Sequence, residues 1–303
     1  MLVWLVMLCA WLIERFVPIS SHINPIAFFR FICKRMAHKV LPSTYQTQQH
    51  YISGALAWLS LIFPILAIAY IVSELASYSW LFSGIILYLC LQFSQETKKL
   101  KRIHSALLGN KKQLAKDYLS TSVLRDTQKL STLGICKASI EMYILRLQYQ
   151  QVVVLFCFAI AGPIAALFYR LSYEASQVWN VKLSKFTRFG AFSHFICRII
   201  QFIPTRIFSL ILNLMNAKLI PKQMFGLSEL SSPNGRFILY STANAMRKTL
   251  DGPVYYKDIK VRRERAKMDF DVQIKDIKIF ITLCTGAMLV YFLVILVFSR
   301  LIT

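Results

Sequence analysis

The stretch SVLRDTQKLSTLGICKASIEMYILRLQYQQVVVLFCFAIAGPIAALFYR, residues Ser122–Arg170, decides the class of this protein. It begins as a polar, basic, helix-like segment and turns at Gln151 into an uncharged apolar run. Val152 to Phe168 holds no charged side chain and is marginally long enough to cross a bilayer, which takes about 20 residues. A chain that passes from basic helix to lipid-compatible helix in this way is organised around a membrane surface.

Working outward, other apolar runs agree. Residues 52–72 and 277–298 are long enough to span, and Pro64 inside the first is tolerable in a membrane helix. Residues 76–93 form a further run, and 195–215 a less regular one that carries Arg198, Pro204 and Arg206. Arginines at membrane depth favour a cavity-lining, re-entrant or interfacial helix over a lipid-facing one. A dip at Gly162-Pro163 with return through 195–215 would also keep Arg170, Lys182, Lys185 and Arg188 on one side. Met1 to Ile13 is apolar but short, and suits a retained anchor or half-span better than a signal peptide. The basic and aromatic alternation of AFFRFICKRM, residues 27–36, suits a helix lying on the membrane surface. The expected fold is therefore all-α: one polytopic membrane domain over 1–303, with about four to five membrane-embedded helices.

The composition fits. Of 303 residues 56% are apolar and only 17% charged, and mean hydropathy is +0.50. The net charge of +22 comes from 36 Lys and Arg against 14 Asp and Glu. Nucleic acid is the reflex partner for such a charge, yet basic and aromatic residues are not interleaved as a single-strand platform requires. Loops that stay in the cytoplasm collect Lys and Arg, and basic juxtamembrane segments are drawn to anionic lipid. Residues 94–151, with eleven basic side chains against four acids, and 216–276 are thus expected to be cytoplasmic helical segments. Ser73–Ser79, with Glu74 and no Lys or Arg, is expected outside. The partner implied is the lipid bilayer and not nucleic acid, and the location a bacterial inner membrane. The seven cysteines include no Cys-x-x-Cys pair and the five histidines are scattered, so neither a disulfide framework nor a metal site is implied.

Several short pieces, in order, resemble one family. Arg125-Asp126-Thr127, Leu130, Lys137-Ala138 and Ile140-Glu141 look like an R-D-T…A-x-I-E block. Gly162-Pro163, Ala166 and Tyr169-Arg170 look like G-x-P-x-A-x-x-Y-[KR]. Phe189-Gly190 and Ile203-Pro204-Thr205-Arg206 resemble F-G and I-P-A-R pieces. Ser232-Pro233-Asn234 and Gly252-Pro253-x-Tyr255-Tyr256 resemble an S-P-N…G-G-P-x-Y-Y ending, and Ser21-His22-Ile23-Asn24-Pro25 a His-Pro-rich start. Together they resemble the CbiB/CobD family of cobalamin biosynthesis, polytopic membrane proteins related to AmpE-like inner-membrane proteins. The resemblance implies ATP-dependent joining of an aminopropanol or its phosphate to a carboxylate of adenosylcobyric acid, with ATP and magnesium as cofactors and a corrinoid as substrate. Such chemistry uses anionic side chains around a magnesium-bound phosphate. Counted without gaps, acidic family positions fall on Leu145-Arg146, Tyr149-Gln150, Ser176-Gln177-Val178 and Cys197-Arg198. That pattern opens an alternative, a non-catalytic, AmpE-like regulatory or accessory protein with a membrane-protein partner.

No catalytic residue is assigned from sequence. The candidate ligand-binding residues are Arg125, Asp126, Glu141, Arg198, Arg206, Asn234, Tyr255 and Tyr256. Each has a plainer alternative. Arg125 and Asp126 can be a local ion pair starting a helix, with Asp126 in its first turn. Glu141 can pair with Lys137 or Arg146 at near-helical spacing. Arg198 and Arg206 share a face if their helix runs on through Pro204, and bind an anionic headgroup or phosphate or snorkel to the interface. Asn234, Tyr255 and Tyr256 can contact a corrinoid or nucleotide, or form an interfacial turn. A shared ligand site requires Arg125, Glu141 and the Asn234–Tyr256 segment to come together.

Overall fold

Capping chemistry sets several helix starts in the computed structural model, which describes residues 2–19, 24–41, 47–218, 233–256, 259–261 and 265–302. Asn24 accepts the Ile26 and Ala27 N–H groups and Pro25 takes the first helical position, so α2 begins at Pro25. Ser131 does the same for the Gly134 N–H at 3.1 Å, and α7 starts at Thr132. The stretch 121–131 before it is a loop and not the expected start of a helix. Asp126 accepts the N–H of Gln128 at 2.9 Å, a local turn that competes with helix.

The described residues are mostly helical. In chain order the helices are α1 (Leu2–Phe16), α2 (Pro25–Val40), α3 (Thr47–Leu75), α4 (Ser79–Leu91), α5 (Ser94–Leu108) and α6 (Lys112–Ser120), followed by α7 (Thr132–Leu147), α8 (Val153–Val178), α9 (Ala191–Ile200), α10 (Phe202–Leu214), α11 (Pro233–Met246) and α12 (Ile274–Ile302). A π-turn, Gln148–Val152, joins α7 to α8. Four short strands lie between α11 and α12: β1 (Leu250–Asp251) pairs antiparallel with β4 (Arg265–Ala266), and β2 (Val254–Tyr256) with β3 (Ile259–Val261). Three helical stretches are long and apolar enough to cross a bilayer: Gln48–Leu75, Thr132–Val178 and Ile274–Val297. The pair α9 and α10, bent by 49° at Gln201, makes a fourth if it is one span. The chain is thus a multi-pass membrane protein.

Thr132–Val178 is not one smooth rod. Ala161 leaves the helical region and Gly162 adopts φ 76°, a conformation open to glycine; Pro163, which has no N–H to orphan, starts the second stretch. A Cβ on Gly162 would meet no atom within 4 Å, so backbone angle and not space requires the glycine.

The chain divides into two compact units, neither contiguous in sequence. Unit 1 comprises residues 1–92 and 149–202. Its α2 buries Ile26, Phe29, Cys33 and Ala37, spaced three or four apart, against α3 and α8. Trp58 of α3 stacks edge-on with Phe168 and Phe192 at 5.7 and 5.1 Å. Trp179, fully buried, donates its indole N–H to the Cys33 carbonyl at 3.0 Å and so ties the end of α8 to α2. Gly190 lies directly under that tryptophan: a Cβ there would sit 1.8 Å from the Trp179 carbonyl oxygen. This close approach is a physical reason for glycine in the Phe189-Gly190 piece.

Unit 2 comprises residues 93–148 and 203–302. α7 is buried on nearly every face, against α5, α6, α11 and α12. Tyr143 packs between Phe93 and Phe280, and Phe208 of α10 meets Tyr291 of α12 edge-on. α10 and α11 are joined by amides and hydroxyls: Asn213 donates to Ser241 Oγ at 2.5 Å and accepts from Asn244 at 2.7 Å. These buried polar groups are satisfied by each other, as an apolar setting demands. The expected turn at Gly109-Asn110 separates α5 from α6.

Candidate functional site

Unit 2 holds all but Arg198 of the side chains singled out in the sequence and joins two pairs of them. α7 carries Glu141 in its third turn, 5% exposed. Arg125, delivered by the loop before α7, donates from Nη2 to Glu141 Oε2 at 2.7 Å. The other carboxylate oxygen, Oε1, accepts the backbone N–H of Asp251 on β1 at 2.9 Å. Asp251 is in the left-handed region, φ 57°, and its Oδ1 accepts the N–H of Gly252 at 2.9 Å. One buried carboxylate therefore clamps two segments that are 126 residues apart, from Arg125 to Asp251, and both of its oxygens are used. Charge-assisted bonds of this kind are the strong ones.

Glu141 does not pair with its helical neighbours. Lys137 binds Asp271 at 2.9 Å, and Arg146 binds Glu96 and the Ser122 carbonyl. Glu96, which also takes Lys99 at 3.3 Å, was not anticipated from the sequence, because its partner Arg146 lies 50 residues away.

A second station involves α10 and α11. Arg206 Nη1 donates to Asn234 Oδ1 at 2.5 Å, and its guanidinium lies over the Phe237 ring at 4.8 Å. Asn234 is fully buried and Arg206 half-buried. Asp126 takes part in its local turn. Tyr255 and Tyr256 lie on β2, opposite Lys260 and Ile259. Arg198 is on α9 in unit 1 and exposed, while Arg206 is in unit 2, and the helix that would have put them on one face breaks at Gln201. The piece before Asn234, Ser232, lies outside the described residues, as do Ser21, His22 and Ile23.

The donor set bears on magnesium. Among the described residues no three His, Cys, Asp or Glu side chains gather as a metal cage. Magnesium is commonly held by one or two carboxylates together with substrate phosphates, but Glu141 is already spent on Arg125 and the Asp251 N–H. Among the described residues the arrangement offers the guanidinium of Arg125, suited to a carboxylate or phosphate, and no carboxylate cage that fits magnesium.

Elsewhere surroundings shift further ionisable groups, among them His104 and Cys33. Burial, and then the field of Lys278, lowers the pKa of His104 on α5. Burial pushes the Cys33 thiol up to about 12, with the Glu174 carboxylate adding to the shift.

Comparison with known proteins points to one family. Residues 7–284 match the family described as CobD/Cbib protein. The cobalamin biosynthesis protein CobD of Stutzerimonas stutzeri is 24% identical over 70% of this chain and 71% of its own length. The CobD protein of Chromobacterium violaceum is 24% identical over 66% and 65%, and that of Leptospira interrogans serovar copenhageni 27% identical over 64% of each chain. The chain thus spans about two thirds of the length of these curated relatives. No solved structure matches it. With the family match covering most of its 303 residues, this protein belongs to the CobD/CbiB family.

Proposed function

We propose that this protein serves cobalamin biosynthesis at the membrane, in the family step that joins aminopropanol or its phosphate to a carboxylate of adenosylcobyric acid using ATP. One observation carries the proposal. The retained motif pieces hold one another: Arg125 of R-D-T with Glu141 of I-E and Asp251 beside Gly252-Pro253, and Arg206 of I-P-x-R with Asn234 of S-P-N. Glu141 fixes the Arg125 guanidinium, which presents its remaining donors in a set direction, and Asn234 orients that of Arg206. Preorganised guanidiniums suit planar carboxylates and phosphates, and this step brings both kinds of group together. Asp126, Tyr255 and Tyr256 lie next in sequence to these pieces and are proposed as further ligand residues; Arg198 belongs to a separate, membrane-surface role. ATP supplies activation of the carboxylate when bound, and no step is assigned to magnesium here.

In this proposal the bilayer is a bacterial inner membrane and the basic segments 94–151 and 216–276 face the cytoplasm, where a water-soluble corrinoid and ATP are found. One observation favours a second function, a non-catalytic accessory protein with a membrane-protein partner. Arg146, which the resemblance sets at an acidic family position, is built into the fold through Glu96 and Ser122. A binding measurement separates the two. Full-length protein in nanodiscs is titrated with adenosylcobyric acid and followed by corrinoid absorbance. Saturable binding, weakened at least tenfold by Arg125→Ala, agrees with the proposal; no binding by well-folded protein rejects it in favour of the accessory role.

A further inference from the structure

Unit 1 holds a charge cluster outside the site described above. Glu174 of α8, fully buried, is shared by two arginines: Arg30 of α2 through Nε at 2.5 Å and Arg170 of α8 through Nη2 at 3.0 Å. Arg170 is 1% exposed, and its Nε and Nη1 are buried and donate to no acceptor among the described residues. Its guanidinium also lies 5.8 Å from the Tyr173 ring centre. Two nitrogens of the buried Arg170 guanidinium thus carry donors without an acceptor among the described residues of a largely apolar unit. A buried, incompletely paired cation in a membrane-embedded segment is costly and signals a ligand. Arg30 is 44% exposed by side chain and connects the buried pair to the outer face of α2, where Lys34 and Arg35 are also exposed. Phe28 and Phe31 stand on that face as well, 65% and 50% exposed, as on a helix resting in a headgroup layer.

We propose that Arg30, Arg170 and Glu174 form an anion subsite that takes a phosphate group. A phosphate supplies negative charge beside both guanidiniums and acceptor oxygens for the unspent donors of Arg170. Arg30, exposed at the outer face of α2, leads such an anion in. The same chemistry is offered by a phospholipid headgroup and by free phosphate. The subsite stands on residues of unit 1 alone and does not depend on the function proposed above.

The test uses full-length protein in nanodiscs. In one arm the lipid is phosphatidylcholine and labelled inorganic phosphate is titrated at constant ionic strength, with chloride as balance. In the other, phosphatidylglycerol is raised in steps and bound lipid is counted by native mass spectrometry. Binding in the first arm identifies free phosphate, and retention of phosphatidylglycerol in the second identifies a headgroup. In either case Arg170→Gln and Arg30→Gln are expected to weaken binding by about tenfold or more, and Arg35→Gln to leave it unchanged. If Arg170→Gln does not fold, Arg30→Gln, at the exposed end, decides alone. Absence of binding in both arms, equal affinity of Arg30→Gln and wild type, or an equal loss in Arg35→Gln overturns the proposal.

Discussion

Replacing Glu141 by alanine breaks two interactions at once. The Arg125 guanidinium, 14% exposed by side chain, loses its 2.7 Å partner, and the buried N–H of Asp251 loses its 2.9 Å acceptor. A hydrogen bond to a charged group contributes about 1.5–3 kcal/mol and an orphaned buried donor costs about 1–3 kcal/mol. Glu141→Ala should therefore destabilise unit 2 by about 3–5 kcal/mol, the range for breaking a buried pair. Glu141→Gln keeps one acceptor oxygen and should cost roughly half as much, about 1.5–3 kcal/mol. Arg125→Ala combined with Glu141→Ala leaves no stranded charge, so the pair should show a coupling energy of about 1–3 kcal/mol. The assay must report on unit 2, and tryptophan fluorescence cannot, since all five tryptophans, Trp4, Trp11, Trp58, Trp80 and Trp179, are in unit 1. Cys136, 1% exposed and on the same helix as Glu141, is the natural probe: its alkylation rate in rising denaturant, read by mass spectrometry, gives the opening free energy. Fluorescence then serves as the control for unit 1. Unchanged protection of Cys136 in Glu141→Ala, or a double variant whose cost is the plain sum of the single ones, refutes the clamp.

Other expectations follow from the same coordinates. Gly190→Ala forces a Cβ against the Trp179 carbonyl and should cost at least about 3 kcal/mol, whereas Gly162→Ala meets no atom and carries only the strain of positive φ, about 1–2 kcal/mol; tryptophan fluorescence during unfolding compares them. His104 has a folded pKa below its ordinary 6.5, so the unfolded chain takes up the proton first. The stability this residue contributes is full above about pH 6.5 and is lost as pH falls through the folded value. Wild type should thus lose more stability than His104→Gln between pH 7 and 5, and equal losses would contradict the burial of the ring. The Cys33 thiol, pushed up to about 12, should resist alkylation at pH 8 in folded protein and react once denatured; equal rates in both states would show that the site is open.

The sequence shows the membrane-bound helical class because apolar runs need no long-range information: 52–72, 152–168 and 277–298 fall within helices that pass as spans. The pairing of Arg125 with Glu141 was accessible through the order of motif pieces, which marks residues that act together. Helical spacing alone pointed to Lys137 and Arg146, and missed that Asp271 and Glu96 hold them from distant parts of the chain. Asp126 looked like a helix-start residue, but its carboxylate closes a turn on Gln128, and Ser131 caps the helix five residues later. The β-pairs at 250–266 were hidden because strands of two or three residues carry no periodicity. Arg170 and Glu174 sit four apart at the end of an apolar run, a visible i,i+4 pair. Their connection to Arg30, 144 residues before Glu174, needed the fold.

The central claim, participation in the CobD/CbiB step, is tested most directly by complementation. The gene is expressed in a bacterium that lacks its own enzyme of this family, cobyric acid is supplied, and cobalamin-dependent growth is scored beside membrane expression. Growth is expected with wild type, and its loss with Arg125→Ala expressed at the same level. No growth with well-expressed, folded wild-type protein would contradict it.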